Sequence, residues 1–387
     1  TRIASRMASI AAFEVMEIQT LARAREAAGA DVIHLEIGEP DFRTPAPIVE
    51  AAKRALDAVP MNYTSALGIP PLREAIARFY RDRYGVAVPA GRIVVTAGSS
   101  AALLLAFGVL LDAGDEVLLA DPGYPCNRHF AIALGGVPRA VPVGPASRYQ
   151  LTPEIARAAW TPRTRVAMVA SPANPTGTLV TPEEVAGLAA LAREKGATLL
   201  VDEIYHGLTY GLDARTALEA GDDVFVVNSF SKYFQMTGWR LGWMVVPQPF
   251  VREVEKLAQN LYISPSTLAQ HAALAAFAPE TIAVLEARRK ELAERRDFLL
   301  PALASLGFGI PVQPEGAFYV YADSSRLAPD SFAFARRVLE EAGVAFTPGR
   351  DFGSHEPEKH IRIAYTQPVA RLEEAVARLR RFLAGGT

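Results

Sequence analysis

Six short runs rich in Val, Leu, Ile and Ala, separated by helical patterns, leave this chain few folds to choose from. The runs are Ile93–Ala97, Glu116–Ala120, Val166–Ala170, Thr198–Asp202, Val224–Ser229 and Gly242–Val246. Several are almost uninterrupted in apolar residues, as in parallel strands covered on both faces. The stretches between them carry helix signals. The clearest is Thr181-Pro182-Glu183-Glu184, which offers a capping hydroxyl, a proline suited to the first helical position and acids in the first turn. Strands alternating with helices predict a doubly wound α/β layer.

The flanks follow another pattern. The first forty or so residues read as an amphipathic helix and an extended segment, Val32–Ile37. From about Thr281 a long charged helix should run to Leu306, interrupted near Pro301. Strands are predicted around Ala317–Tyr321, Val344–Phe346 and Ile361–Ala364, then a last helix over Val369–Leu383. The expected organisation is a large α/β domain over 46–280 and a smaller α+β domain built from both termini, 1–45 with 281–387.

With 387 residues, half of them hydrophobic, the chain has enough apolar material for two such domains. Its net charge of -2, with both signs interspersed, provides no basic stripe for nucleic acid or anionic lipid. A small charged metabolite is the better-matched partner. A single cysteine, Cys126, leaves no intramolecular disulfide and no multi-cysteine metal cluster, which fits a reducing, cytoplasmic setting. Apolar stretches such as Ala101–Leu111 are too short for a bilayer, and no membrane partner is expected. The N-terminus mixes Arg2, Arg6, Glu14 and Glu17 with apolar residues, unlike a signal peptide; since the first residue is Thr1, a processed leader is compatible with it. His34, His129 and His206 share no local spacing, so no metal site is expected and His206 is assigned no role.

Ligands of open α/β sheets sit beyond the carboxyl ends of the strands. Here those ends are followed by Gly98-Ser99-Ser100, by Ser171-Pro172-Ala173-Asn174-Pro175-Thr176-Gly177, by Asp202-Glu203-Ile204-Tyr205, and by Ser229-Phe230-Ser231-Lys232 with Thr237-Gly238-Trp239-Arg240 downstream. Singly, each has an ordinary explanation: a strand-to-helix turn, a loop, a cap, a surface lysine, an ion pair. Together they bring polar groups to one edge.

In order and spacing they resemble the class I/II aminotransferases, the aspartate-aminotransferase-like branch of the fold type I enzymes dependent on pyridoxal 5'-phosphate (PLP). The resemblance runs from Gly38-Glu39-Pro40-Asp41-Phe42 to Arg362, and SFSKYFQMTGWRLGW carries it most strongly. It implies a mostly parallel seven-stranded sheet in the large domain. It implies that Lys232 forms the Schiff base with PLP and shuttles the substrate's Cα proton. Asp202 would hold the proton of the pyridine nitrogen, and Tyr205 and Asn174 would donate to the ring oxygen. Ser99, Ser100, Ser229 and Arg240, with Ser231 close by, would bind the phosphate, while Tyr124 would stack on the ring. Arg362 would grip the substrate α-carboxylate, with Gly38 and Asn174 bordering the same place. Tyr63 would reach the cofactor phosphate of a neighbouring subunit, implying a homodimer with shared active sites, and Tyr262–Ser264 would approach the partner's pocket.

The implied reaction is transfer of an amino group between an L-amino acid and a 2-oxo acid. The same fold also serves β-elimination and decarboxylation, but Arg362 and Thr237-Gly238-Trp239-Arg240 favour transamination. A PLP-sensing regulatory domain would need a DNA-binding module, and nothing before Gly38 is long or basic enough. Two departures bear on specificity. Ala101 stands where many relatives have an amide, and Ser100 where bacterial aspartate-specific members often have a lysine for the distal carboxylate. With Phe13, Val15 and Tyr262 as apolar candidates for the side-chain pocket, neutral or aromatic substrates are favoured.

Overall fold

A computed structural model describes residues 1–385. A seven-stranded sheet forms its centre, in the order β2-β8-β7-β6-β5-β3-β4. The strands are β2 (Ile93–Thr96), β3 (Glu116–Asp121), β4 (Val137–Pro142), β5 (Thr164–Ala170), β6 (Thr198–Asp202), β7 (Phe225–Ser229) and β8 (Gly242–Val245), preceded in the chain by the two-residue β1 (Ile33–His34). All neighbours pair in parallel except β8, which is antiparallel to both β2 and β7. Side chains alternate between two apolar layers. Along β5, Ala167 and Val169 enter one core while Val166 and Met168 enter the other. This double coverage is why these strands read as unbroken apolar runs.

The helix Pro182–Glu194 starts as its sequence predicts. Thr181 Oγ1 accepts from the Glu184 amide, and the Glu184 carboxylate accepts from the Thr181 amide, a reciprocal capping box.

The C-terminal flank forms an antiparallel sheet, β11-β12-β9, from β9 (Tyr319–Asp323), β11 (Thr347–Pro348) and β12 (His360–Ala364). Between β9 and β11 comes β10 (Val344–Ala345), which pairs in parallel with β1. The extended chain after β1 continues the stitching: Leu35 N–H donates to Ala345 O at 2.8 Å, and Ala364 N–H donates to Leu35 O at 2.7 Å. Ahead of β1 lies helix α1 (Glu14–Ala27), which buries only Ile18 and Ala22, one turn apart on one face.

Three expectations need correction. The helix Pro279–Ser305 runs through Pro301 without interruption. Pro301 is exposed while Leu299, Leu300 and Leu303 are buried, so the missing amide bond falls on the wet side and core packing holds the helix together. The strand expected from Ala317 begins at Tyr319, because Ala317 adopts a positive φ of 59°. The strand expected over Val344–Phe346 divides into β10 and β11, which pair with different partners. Among the described residues, no single helix is long and apolar enough to cross a membrane.

Candidate active site

Because β8 runs antiparallel to both β2 and β7, the carboxyl ends of β2, β3, β5, β6 and β7 and the amino end of β8 share one edge of the sheet. A cavity of about 480 Å³ opens there, bounded on its other side by Gly38, Tyr319, Asp351, Phe352 and Arg362 from the flanks.

Lys232 lies in the loop joining β7 to β8. Ser229 pairs with Gly242 and Phe230 N–H donates to Leu241 O at 3.1 Å, so the loop leaves and returns at one point. Lys232 Nζ donates to the carbonyl of Gly38 at 2.5 Å and sits 5.7 Å from the Tyr205 ring and 5.8 Å from the Phe318 ring. Loss of water around the ammonium, with repulsion from Arg362 and Arg240, brings its pKa down to about 8; Glu39 and Asp202 oppose this.

Asp202 closes β6 and is 4% exposed. Its Oδ1 accepts the Ile204 amide at 3.1 Å. Burial drives its pKa up to about 7 against the pull of that amide and of Lys232.

The loop after β2 is shaped around a guanidinium. Gly98 has φ +84°, and a Cβ there would lie 2.6 Å from Arg240 Nη2. Arg240 therefore lies against the residue that caps the helix Ser99–Leu110, where backbone amides are unsatisfied and the dipole is positive. Arg240 is itself exposed, in the left-handed conformation, and donates to Thr237 O at 2.9 Å. Ser99 and Ser100 line the cavity beside it. Helix amides, two hydroxyls and a fixed cation make a cradle for a phosphate dianion.

Arg362, on β12, is 5% exposed. Nη1 donates to Asn174 Oδ1 at 2.9 Å, and Nη2 to Glu36 O at 2.7 Å and Thr347 Oγ1 at 3.3 Å. The guanidinium also rests on the rings of Tyr319 and Phe352, at 4.3 and 4.9 Å from their centroids. Among the described residues no carboxylate pairs with it, and its Nε is buried without a partner. A structural salt bridge is thus not its role within this chain; it is a desolvated cation set among neutral oxygens. Gly38 lies beside it: a Cβ there would meet Tyr319 Oη at 2.9 Å and Arg362 Nη2 at 3.8 Å.

Most of the expected site residues line this one cavity: Gly38, Ser99, Ser100, Tyr124, Asn174, Asp202, Tyr205, Ser231, Lys232, Arg240 and Arg362. Tyr205 Oη shares a hydrogen bond of 2.9 Å with Tyr319 Oη. Ser229 stands apart from the cavity wall; its hydroxyl accepts the Ser231 amide at 3.0 Å and contacts Leu241 O at 3.4 Å. Tyr63 is also off the wall and 79% exposed. Phe13 and Val15 line the cavity, whereas Tyr262 packs elsewhere, against the core that contains Val254 and Ala258. His206 lies off this wall too, against Tyr84 and Glu203; burial lowers its pKa to about 3, so it stays neutral. Sequence reasoning missed Tyr319, Asp351 and Phe352, which reach the cavity through pairing and loop geometry that no local spacing announces.

Lys232 for an aldehyde, Asp202 for a ring N–H and the Gly98–Arg240 cradle for a phosphate fit pyridoxal phosphate by the chemistry of their donors and acceptors. The comparisons agree in kind. Residues 30–379 match the family model described as aminotransferase class I and II. The valine–pyruvate aminotransferase of Mycobacterium tuberculosis is 42% identical over 99% of this chain and 98% of its own length. The aspartate/prephenate aminotransferase of Thermus thermophilus is 39% identical over 92% of each chain. A crystal structure of an aminotransferase from Mycobacterium tuberculosis superposes with a TM-score of 0.96 at 41% identity, covering the whole of both chains.

Proposed function

Since the chain belongs to the class I and II aminotransferases, a family that uses pyridoxal phosphate, we propose that Lys232, Asp202 and Arg362 are the groups that carry its transamination. The enzyme moves an amino group between an amino acid and a 2-oxo acid. The observation that supports the assignment best is Arg362, buried and, among the described residues, without a carboxylate partner, on a cavity that also contains Lys232. A substrate α-carboxylate supplies the missing partner in a forked contact. When bound, PLP supplies an electrophilic aldehyde and a ring that accepts electrons from the substrate Cα. Ser99, Ser100 and Arg240 hold its phosphate, and Asp202 its ring nitrogen. Lys232 Nζ moves the Cα proton, a task suited to an amine whose pKa lies near 8. Asn174, with Oδ1 committed to Arg362, keeps its amide nitrogen free to act as a donor and would give it to the cofactor. Tyr124 is the ring's stacking partner and Tyr205 its further hydrogen-bond donor.

The substrate is proposed to be neutral or aromatic. The cavity's cations are Lys232, Arg240 and Arg362, each already assigned, while Glu36, Glu39 and Asp351 add negative charge. Among the described residues, no further cation on this cavity wall remains for a distal carboxylate. The named relatives divide between valine and aspartate, so the cavity decides the proposal.

The same reading divides the chain into 46–280 and 1–45 with 281–387. Gly38 and Arg362 belong to the second unit and Lys232 to the first, so a bound amino acid bridges the two and favours their closed arrangement. It also includes a second copy of the chain. Tyr63, Met61, Leu261 and Ile263 are exposed, and the Thr64 amide ties their two segments through Ser264 Oγ at 3.3 Å. Covering this patch would bring Tyr63 to the partner's phosphate cradle. A reducing, cytoplasmic setting completes the proposal.

The test is to load the protein with PLP and follow 2-oxo acid formation from alanine, valine, phenylalanine, aspartate and glutamate. Higher kcat/KM for the neutral donors is expected. Preference for a dicarboxylic donor over every neutral one would overturn the substrate assignment.

A further inference from the structure

Asp351 is 4% exposed on the cavity wall, and its carboxylate serves the far end of the chain. Oδ1 accepts the Glu14 amide at 2.9 Å and Oδ2 accepts the Val15 amide at 3.0 Å. These are the first two amides of α1, whose own cap residue, Phe13, offers no side-chain bond. An acid from beyond β11 thus fills the role that a local Asp or Ser usually has, and does so at the positive end of the helix.

Apart from Phe13, which stacks on Tyr124 with ring centroids 6.5 Å apart, the other ties of α1 lie away from this end. Its two buried residues, Ile18 and Ala22, lie further along, and its charged tie, Glu26 to His34 at 3.1 Å, is at the other end. Yet Phe13, Val15 and Met16 all contribute to the cavity wall. On the other side of Asp351 the chain is anchored twice: Arg128 donates to its carbonyl at 2.8 Å, and the next residue, Phe352, packs on the Arg362 guanidinium.

We propose that Asp351 is a positioning residue for substrate selection, holding the start of α1 where Phe13 and Val15 wall the side-chain end of the cavity. Through Phe352 the same segment is fastened to Arg362, so the wall is set relative to the group that grips the α-carboxylate. This rests on the reading of Arg362 as that anchor. Asp351 contacts neither the reacting atoms nor Lys232, so its effect falls on which side chain is accepted rather than on the proton transfer.

The test compares wild type, Asp351→Ala and Glu14→Pro, each loaded with PLP. Proline suits the first helical position and removes the N–H that Oδ1 accepts together with the Glu14 side chain, so Glu14→Ala is measured beside it as the side-chain control, and the pair keeps the question open should Asp351→Ala fold poorly. Expected for Asp351→Ala is a rise in KM of about tenfold or more for valine and phenylalanine, with less than about threefold for alanine and little change in kcat. This scale corresponds to two backbone bonds to a charged acceptor. Glu14→Pro should change the same ratios in the same direction by a smaller factor. Hydrogen exchange in the cofactor-free protein should quicken across 13–19 in both variants. An equal rise in KM for all three amino acids, or a fall in kcat with KM ratios intact, would leave Asp351 a structural cap and overturn the inference. Failure of the wild type to convert any of the three would count against the Arg362 reading itself.

Discussion

Arg362 Nη1 donates to Asn174 Oδ1 at 2.9 Å, so a guanidinium from the small antiparallel sheet meets an amide from the loop after β5 of the large one. The contact leaves the cation fixed in direction but not neutralised, because an amide oxygen carries only a partial charge. In the proposed role of Arg362, specificity for a carboxylate follows from that shortfall.

Replacing Arg362 with Lys keeps the charge but loses the fork and the stacking on Tyr319 and Phe352. The KM for amino donors should rise by roughly 10- to 100-fold, the scale of one or two charge-assisted hydrogen bonds. Steady-state kinetics with an unchanged KM would show that the α-carboxylate binds elsewhere.

Gly98→Ala should weaken cofactor binding. Its φ of +84° with ψ of 168° is a region that L side chains avoid, at a cost of about 1–3 kcal/mol, and the new methyl would displace Arg240. Absorbance titration of the cofactor-free protein should give a Kd for PLP at least about tenfold higher. An unaltered Kd would mean that Arg240 does not bear on the phosphate.

Stability of the cofactor-free protein should depend on Asp202 in a defined window. The unfolded chain ionises this group near 3.8, the buried carboxyl near 7. Between those values the folded state keeps a proton that the unfolded state has lost, so the contribution is whole at low pH and is lost as pH climbs toward 7. Asp202→Asn removes the effect. Its stability relative to wild type should improve between pH 5 and 7 by up to about 1.4 kcal/mol per unit. Parallel denaturation curves would mean an ordinary carboxylate. Lys232 works in the opposite window, lost as pH falls from 10.5 toward 8.

A shared site predicts complementation. Lys232→Ala should lower kcat by about 10²–10⁴-fold or more through loss of its proton transfer. Tyr63→Ala should instead lower cofactor affinity. Refolding the two variants together forms hybrids in which one site has both native residues. Activity at limiting PLP should then exceed the sum of the separate proteins; simple additivity would argue that Tyr63 serves no neighbouring site.

What the sequence made legible follows the range of the interactions. The six central runs fall on strands within two residues at either end, because burial on both faces writes itself into consecutive positions. β4 left no such trace: it is an edge strand, largely exposed, with Pro138, Arg139 and Pro142 among its residues. Lys232, Asp202 and Arg240 stand in short motifs whose spacing is set by single loops. Asp351 does not, since the partners of its carboxylate lie more than three hundred positions away. Ser229 illustrates the reverse difficulty, a motif position whose hydroxyl is engaged by Ser231 and Leu241 instead of facing the cavity.

The stitching of Leu35 between β10 and β12 has a consequence for how the protein is made. The segment bearing Glu36 and Gly38 leaves the ribosome 311 residues before Thr347, whose hydroxyl donates to the Glu36 carbonyl. At ordinary rates of synthesis that interval is on the order of tens of seconds. Throughout it the strand edge at Leu35 has no partner, although the large sheet can already have closed. Lys232 is thus in place well before the carbonyl of Gly38 is fixed against it, and the cavity is completed only as the last strands emerge.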